Sequence, residues 1–444
     1  MRGKCAFVVL VAIFANAESK SFVESGVDSG VESGVESSVE SGGESGVESS
    51  TDSIVESSAD SASQTLKIVD SSTDSGADSS AESIADSADK SQLSLFYNAS
   101  FGYLLDNIEE TAPFWQTRTI HAVLASLQGG FSVVSDIGEH NIVFGGYGAQ
   151  FMGARNAFNA TGGIFAYYNY AHKKDFNAYL GIFPRSAWIS TYPRSFFRDD
   201  YLFLTPQISG ALLQYKNDAN PAVKGYAEAT FEHFGANLKE RRDEFYALFG
   251  GEVKIYDALS FGAQGALYHH QDEGVVGVDG KGTFLVDRVL YSAYIGFDMR
   301  GFAQVGEIFD AMELKVALLG QSERKRTHKD GMLPFYNGIG GEVSAKAQYR
   351  GFGVEDIYYF GGGQMRYFGE YGEGFYAGLP LYYGAFNTIS AFYEYKNDFL
   401  SVRAGLRFYN IGKRLERLAH QQFVNFSFDL DRLLKKRKFA ILER

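Results

Sequence analysis

The chain has 444 residues, a formal net charge of -13 and a mean hydropathy of -0.17, with 15% aromatic residues, 50 Gly and only 7 Pro. Soluble enzymes rarely combine 28 Tyr and 38 Phe with so low a hydropathy. Strands with an apolar outer face and a polar inner face need both.

The first residues read as an export signal. Met1-Arg2-Gly3-Lys4 is basic, Ala6 to Phe14 is an apolar run, and Ala15-Asn16-Ala17 is an A-x-A cleavage site. The run falls short of the roughly 20 apolar residues that a spanning helix needs, and no other segment reaches that length. Cleavage of this signal peptide (residues 1–17) also removes Cys5, the one cysteine, so the mature chain has no disulfide, thiolate nucleophile or Cys metal ligand.

Residues 18–92 form an acidic linker of degenerate Ser/Gly/Val/Glu repeats. Between Val23 and Lys90 there are 16 acidic residues, 2 lysines and no aromatic residue, so the segment is expected to be disordered. The nine-residue G-G-x-G-x-D pattern of a Ca²⁺-binding β-roll is missing. The linker carries nearly all of the net charge, which leaves the remainder close to neutral and gives nucleic-acid binding no basic surface.

Residues 93–432 change texture abruptly. Period-two alternation marks strands: Val343, Ala345, Ala347 and Tyr349 oppose Glu342, Ser344, Lys346, Gln348 and Arg350. Val402, Ala404, Leu406 and Phe408 likewise oppose Ser401, Arg403, Gly405 and Arg407, while Val424, Phe426, Phe428 and Leu430 oppose Asn425, Ser427, Asp429 and Asp431. Thr119–Val134, Asn141–Gly153, Tyr201–Tyr215 and Tyr291–Phe302 reach or exceed the roughly 9 to 11 residues of a membrane strand. The expected fold is all-β, a transmembrane antiparallel β-barrel of about 16 strands (14 to 18) with both termini on the periplasmic side. Tyr167-Tyr168-Asn169-Tyr170, Tyr358-Tyr359-Phe360 and Tyr382-Tyr383 read as interface girdles. Residues 433–444 read as a basic C-terminal tail below the barrel, whose charge is opposite to that of the linker.

One stretch is more specific. Tyr358-Tyr359-Phe360-Gly361-Gly362-Gly363-Gln364-Met365 is followed by Tyr371-Gly372, by Phe375-Tyr376-Ala377-Gly378-Leu379-Pro380-Leu381-Tyr382 and later by His420-Gln421-Gln422. Over roughly the last 90 residues this resembles uncharacterised, porin-like outer-membrane barrels of Bacteroidetes-type bacteria. The chain departs from that pattern at Gly363 and Leu379, where an acidic residue is usual. The resemblance implies the barrel and brings no catalytic residue. Read physically, Tyr358 to Tyr383 is a long loop, because three consecutive glycines and Pro380 oppose a regular strand. Its aromatics would either pack on one another at the surface or constrict the lumen.

Charged residues that alternate with apolar ones belong inside a barrel, since lipid exposure costs several kcal/mol. The expected pore-lining set is Glu228, Glu232, Glu252, Lys254, Glu313, Lys315, Glu342, Lys346, Arg350, Glu394, Lys396, Arg403, Arg407, Asp429 and Asp431. Cross-strand pairing would stabilise this wall, and charge rings would bias which solutes pass. The histidines (His121, His140, His172, His233, His269, His270, His328 and His420) form no convincing catalytic or metal set. The adjacent His269 and His270 point to opposite faces of a strand. His420 and Ser427 lie about 23 Å apart along one. No G-x-S-x-G, H-E-x-x-H or phosphate-binding loop appears. The expectation is therefore an exported outer-membrane barrel, not an enzyme and without a cofactor, that passes small hydrophilic solutes by diffusion and contacts outer-membrane lipid. The alternatives are a non-conducting structural or assembly barrel, tethered through its acidic linker to a periplasmic or surface partner, and an outer-membrane hydrolase.

Overall fold

In the computed structural model, residues 92–443 are described apart from 110–116, 153–159, 173–174, 238–241, 273–283, 328–330, 373–374, 413–416 and 431–438. Residues 1–17, expected to be a signal peptide, residues 18–91 of the expected linker, His328 and Asp431 lie outside the described residues.

Sixteen long strands follow one another around a single sheet. In chain order they are β1 (Gln92–Glu109), β2 (Arg118–Ser135), β3 (Gly138–Phe151), β4 (Ala160–His172), β5 (Phe176–Pro184), β6 (Gln207–Asn217), β7 (Val223–Asn237) and β8 (Arg242–Ile255). The second half comprises β9 (Leu259–Asp272), β10 (Phe284–Asp298), β11 (Ala311–Thr327), β12 (Tyr336–Tyr349), β13 (Phe352–Gly361), β14 (Phe386–Lys396), β15 (Leu400–Ile411) and β16 (Arg417–Asp429). Every pair is antiparallel, and β1 pairs with both β2 and β16, so the sheet closes into a barrel. Closure leaves no unpaired edge along these strands.

The pairing separates two ends. Tight turns at 136–137, 256–258, 350–351 and 397–399 occupy one end, together with the start of β1 and the end of β16. The opposite end carries the long connections 185–206 and 362–385.

Alternation sorts the side chains. Leu127, Phe144, Ile164, Leu180, Leu213, Phe249, Val316, Ile339, Val354 and Leu406 are all exposed on the outer wall, with Ile164 at 88%. Their neighbours in sequence face inward. In β13, Tyr358 and Phe360 point out while Tyr359 between them is wholly buried inside. The tyrosine runs read as girdles are thus split by the pleat, and only alternate members reach the outer surface. Tyr167 packs inside against Tyr179, and Tyr382 belongs to an inward loop.

Several boundaries differ from the sequence reading. Tyr201–Leu204 of the expected strand Tyr201–Tyr215 belong instead to a short helix, α1 (Asp199–Leu204), and the strand starts at Gln207. Asp199 and Asp200 occupy the first turn of α1, where negative charge suits the helix dipole, and Pro206 delays the ladder. Tyr291–Phe302 is the second half of β10 followed by a 3₁₀ turn. The loop predicted from Tyr358 begins only at Gly362, after β13. Residues 439–443, read as part of a basic tail, form a strand β17 (Phe439–Glu443) that pairs with Gln92–Leu95 and continues the direction of β16. The start of β1 would otherwise offer unpaired backbone groups on that side, and β17 supplies their partners.

Candidate functional site

The barrel interior is filled unevenly, because two loops of the long-loop end fold into it. The first, residues 185–206, is pinned to the inner wall of β6 to β9. Arg185 makes a buried two-pronged ion pair with Glu232, with Nη1 2.9 Å from Oε2, and its Nε donates to the Thr205 carbonyl at 2.8 Å. Glu228 accepts from the backbone N–H groups of Ile189 (2.8 Å) and Ser190 (3.0 Å). Gln264 Nε2 donates to the Thr191 carbonyl at 2.7 Å, and Trp188 Nε1 to Thr230 Oγ1 at 3.0 Å. Tyr192, Phe196 and Phe197 then pack on Tyr246, Leu248 and Tyr268 of the wall.

The second loop, residues 362–385, descends from β13 and is held by β11 and β12. Gln321 accepts from Met365 N–H at 2.8 Å, while Glu323 accepts from Arg366 N–H (3.1 Å) and the Tyr376 hydroxyl (2.8 Å). The Tyr382 hydroxyl donates to Glu342. The two loops meet: Arg198 N–H donates to the Ala377 carbonyl, and Leu379 N–H to that of Arg194, both at 2.8 Å. Leu379 and Leu381 cap Ile108, Tyr409, Ile411 and Ala419 on the facing wall. One flank of the barrel is therefore an aromatic core rather than a polar lumen.

An open path runs along β1, β2, β15 and β16. A chamber of about 500 Å³ at the short-turn end is lined by these strands and by Phe203 of α1. A second space of about 340 Å³, bounded by Asp106, Asp199, Arg403 and Arg407, shares Leu202, Phe203 and Asn425 with it. Beyond, the way tightens to about 10 Å³ among Arg194, Arg198, Asp200 and Leu379, about the room for a single water. Phe203 packs over Gly102: a Cβ there would lie 3.2 Å from the ring, which would have to give by a few tenths of an ångström.

The narrow zone is built from opposed charges. Asp199 lies 3.4 Å from Arg407 and 3.7 Å from Arg194, and Asp200 is bound by Arg118 at 2.8 Å and Arg198 at 3.0 Å. Enclosure by protein works against a charged Asp199, but Arg194, then Arg407 and Arg403, hold its carboxyl below the usual range. It stays ionised through neutral pH, and these pairs loosen only as pH falls through that lowered value.

The sequence-selected residues fall into three groups. Glu228, Glu232 and Glu342 anchor the loops. Others lie on the inner wall with local partners. Glu252 accepts from Tyr294, Lys254 pairs with Asp298 at 3.4 Å, Glu313 lies 4.0 Å from Arg300, and Lys315 sits over the Tyr294 ring. Lys346 and Arg403 lie over the Phe392 ring, and Arg403 is 4.0 Å from Glu394. Only Lys396, Arg403, Arg407 and Asp429 border the open path. Arg350 does not line it: with φ of 50° it occupies the turn between β12 and β13 and lies against Tyr349. A turn residue has left the pleat, so alternation no longer sets its side. Arg194, Arg198, Asp199 and Asp200 escaped the sequence reading because they belong to a loop, where alternation carries no information. The segment from Pro184 to Phe203, with two prolines, three arginines and no period of two, was the available signal.

The histidines are dispersed. His269 faces Asp287 at 2.8 Å on the outer wall, His270 approaches Glu244 at 3.5 Å inside, and His420 lies 3.4 Å from Glu109. Among the described residues no three His, Cys, Asp or Glu side chains converge as metal ligands.

The two departures from the Bacteroidetes-type pattern are closed positions. A Cβ at Gly363 would lie 2.4 Å from the Tyr383 carbonyl oxygen, and Leu379 is 7% exposed in the apolar cap. An acid at either place would meet backbone or hydrocarbon.

No protein-family model matches the chain, and no curated protein matches it either. Among solved structures, OmpF of Salmonella typhi in complex with daunomycin overlaps with a TM-score of 0.41 at 12% identity, over 76% of this chain and 98% of that one. OpdK of Pseudomonas aeruginosa with vanillate gives 0.37 at 9% identity over 76% and 98%, and OccAB3 of Acinetobacter baumannii gives 0.36 at 9% over 76% and 99%.

Proposed function

We propose that the chain is an outer-membrane barrel through which small hydrophilic solutes diffuse without energy coupling. The observation that carries this reading is the continuous polar path from the short-turn chamber past Phe203 to the Asp199–Arg407 constriction. The charges along it balance. Lys396, Arg403, Arg407, Arg194 and Arg198 stand against Asp398, Asp429, Asp106, Asp199 and Asp200, while Arg185 is closed off by Glu232. A path so balanced favours neither sign of ion strongly and restricts by size. In planar bilayers the purified protein is expected to give small, stable steps with weak ion selectivity; a silent bilayer would turn the assignment to the second reading. That reading, a closed scaffold tethered through the acidic linker, draws its support from the apolar cap of Leu379 and Leu381.

Location in a bilayer follows from the outer wall, where exposed apolar side chains recur from strand to strand. Phe249, 54% exposed in the middle of β8, then faces hydrocarbon. Phe249→Arg should cost about 2–4 kcal/mol in equilibrium unfolding from lipid vesicles. A cost below about 0.5 kcal/mol, the level of an ordinary surface substitution, contradicts a lipid-facing wall.

A further inference from the structure

We propose that the chamber at the short-turn end is a binding site for neutral polyhydroxylated solutes, one or two sugar units in size. The proposal rests on the channel reading for its role and on the chamber alone for its chemistry. The volume, about 500 Å³, falls within the roughly 300–1,000 Å³ of small-molecule sites.

The lining determines the class of ligand. Ser100 from β1, Ser126 and Gln128 from β2, Asn425 and Ser427 from β16, and Gln207 at the foot of the first loop all border the space. Among the described residues none of these six side chains has a hydrogen-bond partner in the protein. The Gln207 Oε1 atom is fully buried as well as unpartnered. That atom is closed off from the space as it stands, whereas the side chains of Ser100, Ser126, Gln128, Asn425 and Ser427 remain accessible, so a solute that both donates and accepts hydrogen bonds is favoured in the chamber.

Hydroxyl and amide groups both donate and accept, which suits a ligand that presents many hydroxyls. Phe203 supplies the complement. Its ring projects from α1 over Gly102 and borders both the chamber and the next space, offering an apolar face to the C–H side of a sugar ring. The charges present are poorly placed for an ionic solute. Arg185 is consumed by Glu232, and Asp429 accepts from Asn98. Lys396 and Asp398 belong to the turn region at the mouth and oppose one another in sign. A charged solute would meet one charge of each sign at the mouth, Lys396 and Asp398, and so no net counter-charge, whereas a polyol exchanges water for equivalent partners along the wall.

The test is calorimetric titration of the full-length protein in detergent with maltose and sucrose, and with gluconate and glucose 6-phosphate as charged counterparts. Saturable binding of a neutral sugar, about tenfold or more tighter than either anion, is expected, with about a fivefold or greater loss in Gln128→Ala/Asn425→Ala and in Phe203→Ala. Anions binding as tightly as the sugars, no binding of either sugar, or unchanged affinity in folded variants would overturn the site. The wild-type comparison alone is decisive if a variant does not fold. Because the readout is binding, a barrel silent in bilayers that still takes up sugar sinks the channel reading and leaves the site standing; one that conducts but binds no sugar does the reverse.

Discussion

Replacing residues 363–384 by a short Gly/Ser turn should raise single-channel conductance several-fold. The loop these residues form is the lid of the open path: Leu379 and Leu381 cover Ile108, Tyr409, Ile411 and Ala419, and the space beneath is about 10 Å³ at its tightest. The wall does not depend on the loop for its ladder, since β13 and β14 pair from Phe352↔Tyr393 to Tyr359↔Phe386 without it. Glu323 and Glu342 lose their tyrosine partners but gain water in the opened lumen, so neither is left buried and unpaired. A finer version is Tyr376→Phe, which removes one donor to Glu323 while keeping the ring. It should increase the frequency of brief openings rather than the step size. Unchanged step conductance after loop replacement, in a protein that still shows barrel β-signal, would mean that the constriction lies elsewhere.

Arg185→Ala should be the most damaging single change for stability. Arg185 and Glu232 are 5% and 2% exposed, and truncation of one strands the other as a buried charge. Breaking such a pair from one side typically costs about 3–5 kcal/mol, because the partner's desolvation is no longer offset. The same cut frees the root of the first loop, so the hold of Glu228 on Ile189 and Ser190 and the placement of Asp199 should loosen with it. Replacing both members, as Arg185→Met/Glu232→Leu, should recover much of the loss, since similar apolar volume avoids the desolvation penalty. Urea unfolding from vesicles measures both variants against the wild type. A double variant as unstable as the single one would show that the pair contributes geometry that packing cannot replace.

How far the sequence could be read depended on how each residue meets its solvent. Strands such as β12 and β15 announce themselves because one face must be apolar and the other polar, a requirement written every second residue. The inner placement of Glu342, Arg403 and Arg407 follows from the same rule. Arg350 breaks it, being in a turn with positive φ, and the tyrosine runs obey it more strictly than a reading by composition allows. The last part of the first loop lay hidden inside the expected strand Tyr201–Tyr215, since Tyr201 to Leu204 look apolar enough for a wall but are helical, with Tyr201 and Leu202 packed on the inner aromatic cluster.

By itself the sequence determined the closed all-β architecture, the sidedness of the strands and the pool of charges available to the interior, because alternation is local and is enforced residue by residue. Only the tertiary structure decided which of those charges are consumed as loop anchors and which border open space. That choice depends on where 185–206 and 362–385 fold back, and on contacts such as Arg185–Glu232 that join residues 47 positions apart in the chain. Pairings across such distances are set by the shape of the enclosed volume, which no local pattern records.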